Sequence, residues 1–339
     1  MIYYITPYIL IVLASILSLR MKGKVYKYLF LLSFIPAILL VTMRGLVGTD
    51  TYSYLSFFEQ SKWDIEANYY NLEIGFVAYL KVVTYLGIAP QKALNLFSLI
   101  ICIVIYFNFS QAKKSFIIFA SLIFPVFFYD MTMNGLRYGL AFVLAVPFIL
   151  EPIKNFSNIS KNKILMLLSI LNHNSVITFI FFKIFINLNI KNFIVGLVIT
   201  VVAFYLLQDY LLLKFDNYSE LESPGALSGI QPLIIMFLLV IINSVFFKSR
   251  TKRNLYLLLL QICFYGLTQF TYGGLRFQFA TLFFLMILTI KDTDCKNYNL
   301  YIIGIYLIGL LGFLLKTRNM LDGYGIGYSP FLPYLFYGQ

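Results

Sequence analysis

Ile2-Tyr3-Tyr4-Ile5-Thr6-Pro7-Tyr8-Ile9-Leu10-Ile11-Val12-Leu13-Ala14-Ser15-Ile16-Leu17-Ser18-Leu19 decides the fold class. The run is long for the apolar stretch of a secretory signal and no small-residue cleavage site follows it. It therefore reads as a retained transmembrane helix. A hydrocarbon core about 30 Å thick needs roughly 20 apolar residues at 1.5 Å of rise each. Further runs stand at 28–43, 93–110, 115–129, 136–150, 164–186, 193–208, 230–247, 254–270, 276–290 and 298–315, with a weaker amphipathic run at 73–88. Composition agrees: hydrophobic residues make up 60% of the 339, charged residues 12%, and mean hydropathy is +0.84. A soluble domain of that length carries a charged surface that this composition cannot supply.

The basic residues fall in islands at 20–27, 113–114, 154–163, 183–191, 248–253 and 291–296. By the positive-inside rule these face the cytoplasm, so the net charge of +12 reads as orientation and not as a nucleic-acid surface. That placement requires an odd number of crossings between 73 and 112. The run 73–88 carries Glu73 and Lys81, so it is laid along the outer interface or dipped in as a re-entrant helix. The run 164–186 must go out and return, yet is too short for two spans. Asn172-His173-Asn174-Ser175 then forms the tip of a bent hairpin. The expected fold is all-α and polytopic: a single membrane domain over 1–339, with about twelve membrane-inserted helices and one interfacial or re-entrant outer helix. Both termini and the loops 44–72 and 209–229 lie outside. The second loop is mildly acidic and is either a solvated connector or a lid.

Cys102, Cys263 and Cys295 are scattered and histidine occurs once, so neither a disulfide framework nor a metal or other cofactor is expected. Arg44, Arg137, Arg276 and Arg318 break the charge pattern by falling at outer ends of segments. Each alone reads as a snorkelling side chain. All four are Arg in a chain where Lys is commoner, and the guanidinium fork binds phosphate bidentately. A diphosphate at the outer face, with its lipid in the membrane, is the ligand this suggests. The first outer loop opens Arg44-Gly45-Leu46-Val47-Gly48-Thr49-Asp50-Thr51-Tyr52-Ser53-Tyr54. Gly48 permits a tight turn, and Thr49, Asp50 and Thr51 offer groups for a sugar or for fixing Arg44. An ordinary turn or helix cap reads the same way.

The stretch Arg44…Val47-Gly48-Thr49-Asp50-Thr51…Tyr54 resembles the opening motif of EpsG-type and Wzy-type polymerases of bacterial surface polysaccharides. Leu72-Glu73-Ile74-Gly75-Phe76 resembles that family's Glu-Pro-Gly-Tyr stretch, with Ile74 in place of proline. Asn134-Gly135-Leu136-Arg137-Tyr138-Gly139-Leu140-Ala141 resembles its Asn-x-x-Arg-x-x-x-Ala stretch, and His173-Asn174-Ser175 its His-x-Ser tip. Tyr272-Gly273-Gly274-Leu275-Arg276 is a looser match.

The resemblance implies a bacterial cytoplasmic membrane protein with its site facing the periplasm or exterior. It would transfer a growing glycan from an undecaprenyl diphosphate carrier onto another lipid-linked repeat unit. Such oligosaccharides and the bilayer are its expected partners, with a chain-length regulator and a flippase as further ones. Arg137 and Arg276, then Arg44, are the diphosphate-binding candidates. His173, Glu73 and Asp50, in that order, are the candidate bases, and Thr49, Tyr54 and Tyr272 the substrate contacts. His173 alternatively caps the hairpin, and Glu73 alternatively holds an arginine in place. An O-antigen ligase-like or other lipid-linked glycosyltransferase, and a transporter of the lipid-linked unit, remain the rival readings.

Overall fold

Among the described residues the apolar runs become helices, some with ends set by glycine, proline or threonine. The structure is a computed structural model, and it describes residues 1–60, 72–152, 160–186, 227–292, 297–321 and 329–338. Among the described residues the elements are helical, and an isolated antiparallel bridge joins Arg44 to Phe336. The chain divides into two compact units, the first being Met1–Phe148, Ile159–Asn174 and Gly309–Gln339, and the second Ile149–Asn158 and Ser175–Ile308.

In the first unit, α1 (Ile2–Arg20) packs against α2 (Val25–Thr42). Then come α3 (Thr51–Gln60), α4 (Ile74–Tyr85), α5 (Pro90–Phe109) and α6 (Lys113–Ile118). The α4-to-α5 turn shows how sequence stops one helix and starts the next. Gly87 takes φ of +66, its N–H donates to Thr84 O and that of Ile88 to Val83 O, a Schellman end. Pro90 then opens α5, where a missing N–H costs nothing. At 12 residues, α4 is about 18 Å long and too short to cross the bilayer.

Helix α6 continues into wide, π-type turns over Phe119–Phe128 and Asp130–Asn134. Every side chain from Phe119 to Phe128 is buried, so the run expected at 115–129 is the core of this unit and not a lipid-facing span. Phe124 and Phe128 stack at 4.5 Å, and Phe34 meets both Phe119 and Phe128 edge-on at 5.5 Å. Helices α7 (Leu136–Leu150) and α8 (Lys161–Asn172) follow, and α8 packs on α4.

The second unit holds α9 (Ile177–Phe185), α10 (Ile230–Phe246), α11 (Thr251–Thr268) and α12 (Tyr272–Leu288). Thr271 caps α12 by accepting from Gly273 N at 3.2 Å. A ladder from Gln261 Nε2 to Gln278 Oε1 (3.2 Å) and from Gln278 Nε2 to Thr268 Oγ1 (2.7 Å) ties α11 to α12. The last helix, α13 (Tyr298–Leu321), gives its first part to this unit and the rest, from Gly309, to the other.

Five helices among the described residues are long and apolar enough to cross a membrane: Ile2–Arg20, Val25–Thr42, Pro90–Phe109, Tyr272–Lys291 and Tyr298–Leu321. Four further apolar helices are shorter, so the expected about twelve inserted segments are not reached by these alone. The run 193–208, residues 61–71 of the first outer loop and most of the second outer loop lie outside the described residues. The first loop is also partly helical, because Thr51, Tyr54 and Phe58 give α3 one buried face. The stretch 164–186 breaks where expected: His173 is extended (φ −162, ψ 119) and a short turn at Asn174–Val176 precedes α9.

Candidate functional site

Arg44 follows α2, and its side chain turns inward. It is fully buried, and its guanidinium donates to Met133 O and, at 3.4 Å, to Val47 O. Gln91 and Asn95 of α5 donate to its carbonyl at 2.9 and 3.1 Å. Residues 329–338 lie across this segment. Gly45 N donates to Leu335 O, Gly48 N to Pro330 O and Tyr337 N to Met43 O, at 2.8–3.0 Å. The Tyr334 hydroxyl donates to Leu40 O and that of Tyr4 to Phe331 O. Burial pushes the Arg44 guanidinium down to about 10, while Tyr54, Tyr334, Tyr4 and Asp50 act the other way; it stays charged at neutral pH. Its Nε and NH2 have no hydrogen-bond partner among the described residues.

Gly48 sits at φ +114, and a Cβ there would stand 2.7 Å from Met133 O. This close approach brings Thr49 to Asn134: Thr49 N donates to Asn134 Oδ1 at 3.1 Å. Thr49 is exposed, Asp50 is half-buried, and the Thr49 hydroxyl donates to Asp50 Oδ1 at 3.0 Å. The chain then turns at Gly135 and runs back, with Gly139 so close to the Met131 backbone that a Cβ would overlap it.

Arg137 comes out of that turn, and its NH1 pairs with Glu73 Oε2. The Glu73 side chain is 5% exposed and that of Arg137 20%, so the pair lies at the edge of the protein interior. The Arg137 guanidinium stands 5.7 Å over the Phe76 ring, and its backbone N–H points to the Tyr54 hydroxyl at 3.5 Å. Tyr54 is buried and packs edge-on against Phe76 at 5.6 Å. Gly75 abuts the end of α8, where a Cβ would stand 2.8 Å from Leu171 O. His173 follows that end, and its ring meets the edge of Tyr138 at 6.4 Å. Four stretches scattered between residues 44 and 173 are thus joined by direct contacts inside one unit.

A sequence model of the EpsG family matches residues 27–336. The chain belongs to the EpsG family. No curated protein and no solved structure matches it. EpsG-family proteins are membrane proteins of polysaccharide biosynthesis, and the match spans the stretches from Arg44 to Arg276 quoted above.

In this EpsG-family protein the expected site residues are divided between the two units. Asp50, Thr49, Tyr54, Glu73, Arg137 and His173 belong to the first unit. Tyr272 and Arg276, both exposed, open α12 in the second. Arg44 is in contact with the first group but faces carbonyls, and Tyr54 is buried against Arg137 and Phe76 instead of open to a sugar. Asp130 and Lys316 lie outside the sequence motifs. Lys316 Nζ pairs with Asp130 Oδ1, with the two side chains 6% and 14% exposed. Each is an ionisable residue at the end of an apolar run, which is a signal legible in the sequence.

Proposed function

We propose that this EpsG-family protein is a polysaccharide polymerase that acts on lipid-linked repeat units at the outer face of the bacterial cytoplasmic membrane. The observation that carries this is the Arg137–Glu73 pair, around which the Thr49-Asp50, Tyr54 and His173 stretches gather. In the reaction, an acceptor sugar hydroxyl attacks the anomeric carbon of the donor glycan. The bond from that carbon to the carrier's diphosphate oxygen breaks, and the diphosphate leaves with the bonding pair. Arg137 stabilises the charge that develops on the leaving group, oriented for that by Glu73. A carboxylate engaged in this way is a poorer base, so the acceptor proton goes to His173 or, second, Asp50. Thr49, exposed at the same place, contacts the sugar.

Arg44 is reassigned. A guanidinium that is fully buried, with NH1 on two backbone carbonyls, is given the role of shaping the loop in place of the diphosphate role. Tyr54 likewise supports Arg137. Arg276 is proposed as a diphosphate ligand, and Tyr272 as a sugar contact, on exposure and chemistry alone.

The test is deletion of the gene in its host, followed by inspection of the surface glycan and the lipid-linked pool. Loss of long chains with single repeats still exported supports the polymerase. Accumulation of the lipid-linked unit on the cytoplasmic side points to a transporter, and intact chains left on the carrier point to a ligase.

A further inference from the structure

The mechanism above leaves unused a pair of opposite charges, the partly buried Asp130 in the wide-turned helix and the buried Lys316 in α13. We propose that this pair positions the Thr49-Asp50 loop by fixing which way the Asn134 amide faces. The proposal rests on the polymerase reading for its functional consequence, but not for its structural one.

Asn134 stands between a carboxylate and a backbone N–H. Its Nδ2 donates to Asp130 Oδ1 at 2.9 Å, and its Oδ1 accepts from Thr49 N at 3.1 Å. A carboxylate only accepts hydrogen bonds, so the amide must turn its NH2 group towards Asp130. That leaves the carbonyl oxygen for Thr49. The reversed amide would set an NH2 group against the Thr49 N–H, two donors with nothing between them. Lys316 sets an opposite charge against the same Oδ1. The loop fits this oxygen closely, since a Cβ on Gly48 would stand 3.1 Å from Asn134 Oδ1. A charge thus orients an amide, and the amide holds the loop whose next residue is Asp50.

An ion pair that served stability alone would work equally well reversed, and this predicts the opposite. In the double variant Asp130→Lys/Lys316→Asp an ammonium faces Asn134, which now turns its oxygen inward and its NH2 group to Thr49. The swap should restore the protein level that Lys316→Met alone loses, and still release the loop. The reporter is Val47→Cys, at a buried position, in a chain with Cys102, Cys263 and Cys295 replaced by alanine. The maleimide labelling rate is measured on protein purified in detergent, and glycan length in the complemented deletion strain.

The expected result is labelling roughly tenfold faster in the swap, with shortened glycan, because about 1.4 kcal/mol of local stability is lost with one oriented hydrogen bond. Asn134→Leu, which leaves the ion pair intact, should do the same and decides the matter if the swap does not accumulate. Labelling as slow as in the parent in either variant overturns the proposal. Fast labelling with full-length glycan upholds it and instead removes the loop from the polymerase site.

Discussion

The Glu73 carboxylate is paired with NH1 of Arg137, which lies 64 residues further along the chain. Two stretches that look unrelated in sequence therefore form one charged unit, and the unit orients the only Arg137 nitrogen with a carboxylate partner among the described residues. Its Nε is buried and has no hydrogen-bond partner there. Arg137→Lys keeps the charge but loses the fork that can hold Glu73 and a phosphate oxygen together. Glycan length in the complemented deletion strain should collapse in Arg137→Lys with protein abundance nearly unchanged. Full-length chains would remove Arg137 from the proposed chemistry.

Glu73→Gln separates the two readings of Glu73. If it holds Arg137, the glutamine oxygen still accepts and activity falls several-fold, since the hydrogen bond survives with charge on the donor alone instead of on both partners. If Glu73 were the base, activity would drop to the level of His173→Ala or below. Polymer yield per unit of membrane protein, compared across the three, discriminates.

Arg44 and Arg137 should fail differently. Arg44→Ala strips donors from Met133 O and Val47 O in a fully buried place, a loss of about 2–4 kcal/mol. The expected phenotype is reduced protein level and a lowered melting temperature in detergent. Normal abundance with lost activity would return Arg44 to the ligand role.

Gly48→Ala meets two obstacles, a backbone at φ +114 and the Met133 carbonyl 2.7 Å from the new Cβ. Strain at such a position costs about 1–3 kcal/mol. The loop should detach from Asn134 and chain length should fall, whereas Gly266→Ala, where a Cβ meets open space, should be silent. Equal effects in the two would show that the Gly48 turn has no special part.

Removal of residues 329–338 exposes Arg44 and leaves the N–H groups of Gly45 and Gly48 unpaired. Tyr334→Phe removes only one hydroxyl and should cost about 1 kcal/mol by thermal melting. The truncation should cost several times more, with faster proteolysis in membranes as the readout. Equal melting temperatures would mean that the segment is dispensable for the loop.

Sequence alone determined the solvent and the broad architecture. Runs such as Ile2–Leu19 have length and composition that the bilayer dictates, and the helix breaks at Gly87-Ile88-Ala89-Pro90 and at His173 follow from local backbone chemistry. It also made Gly48, Arg137 and His173 candidates, because the properties that single them out belong to their own side chains or backbones. Which of them act together was decided only by tertiary contacts. Arg44 and Arg137 look alike in sequence, yet one is buried under the C-terminal segment and the other pairs with Glu73 at the interior's edge. Hydropathy averages along the chain and cannot report a partner that lies elsewhere in it. The pairing of Asp130 with Lys316, 186 residues apart, is the same case: each stands just past the end of an apolar run, and only the folded chain shows that they pair with one another.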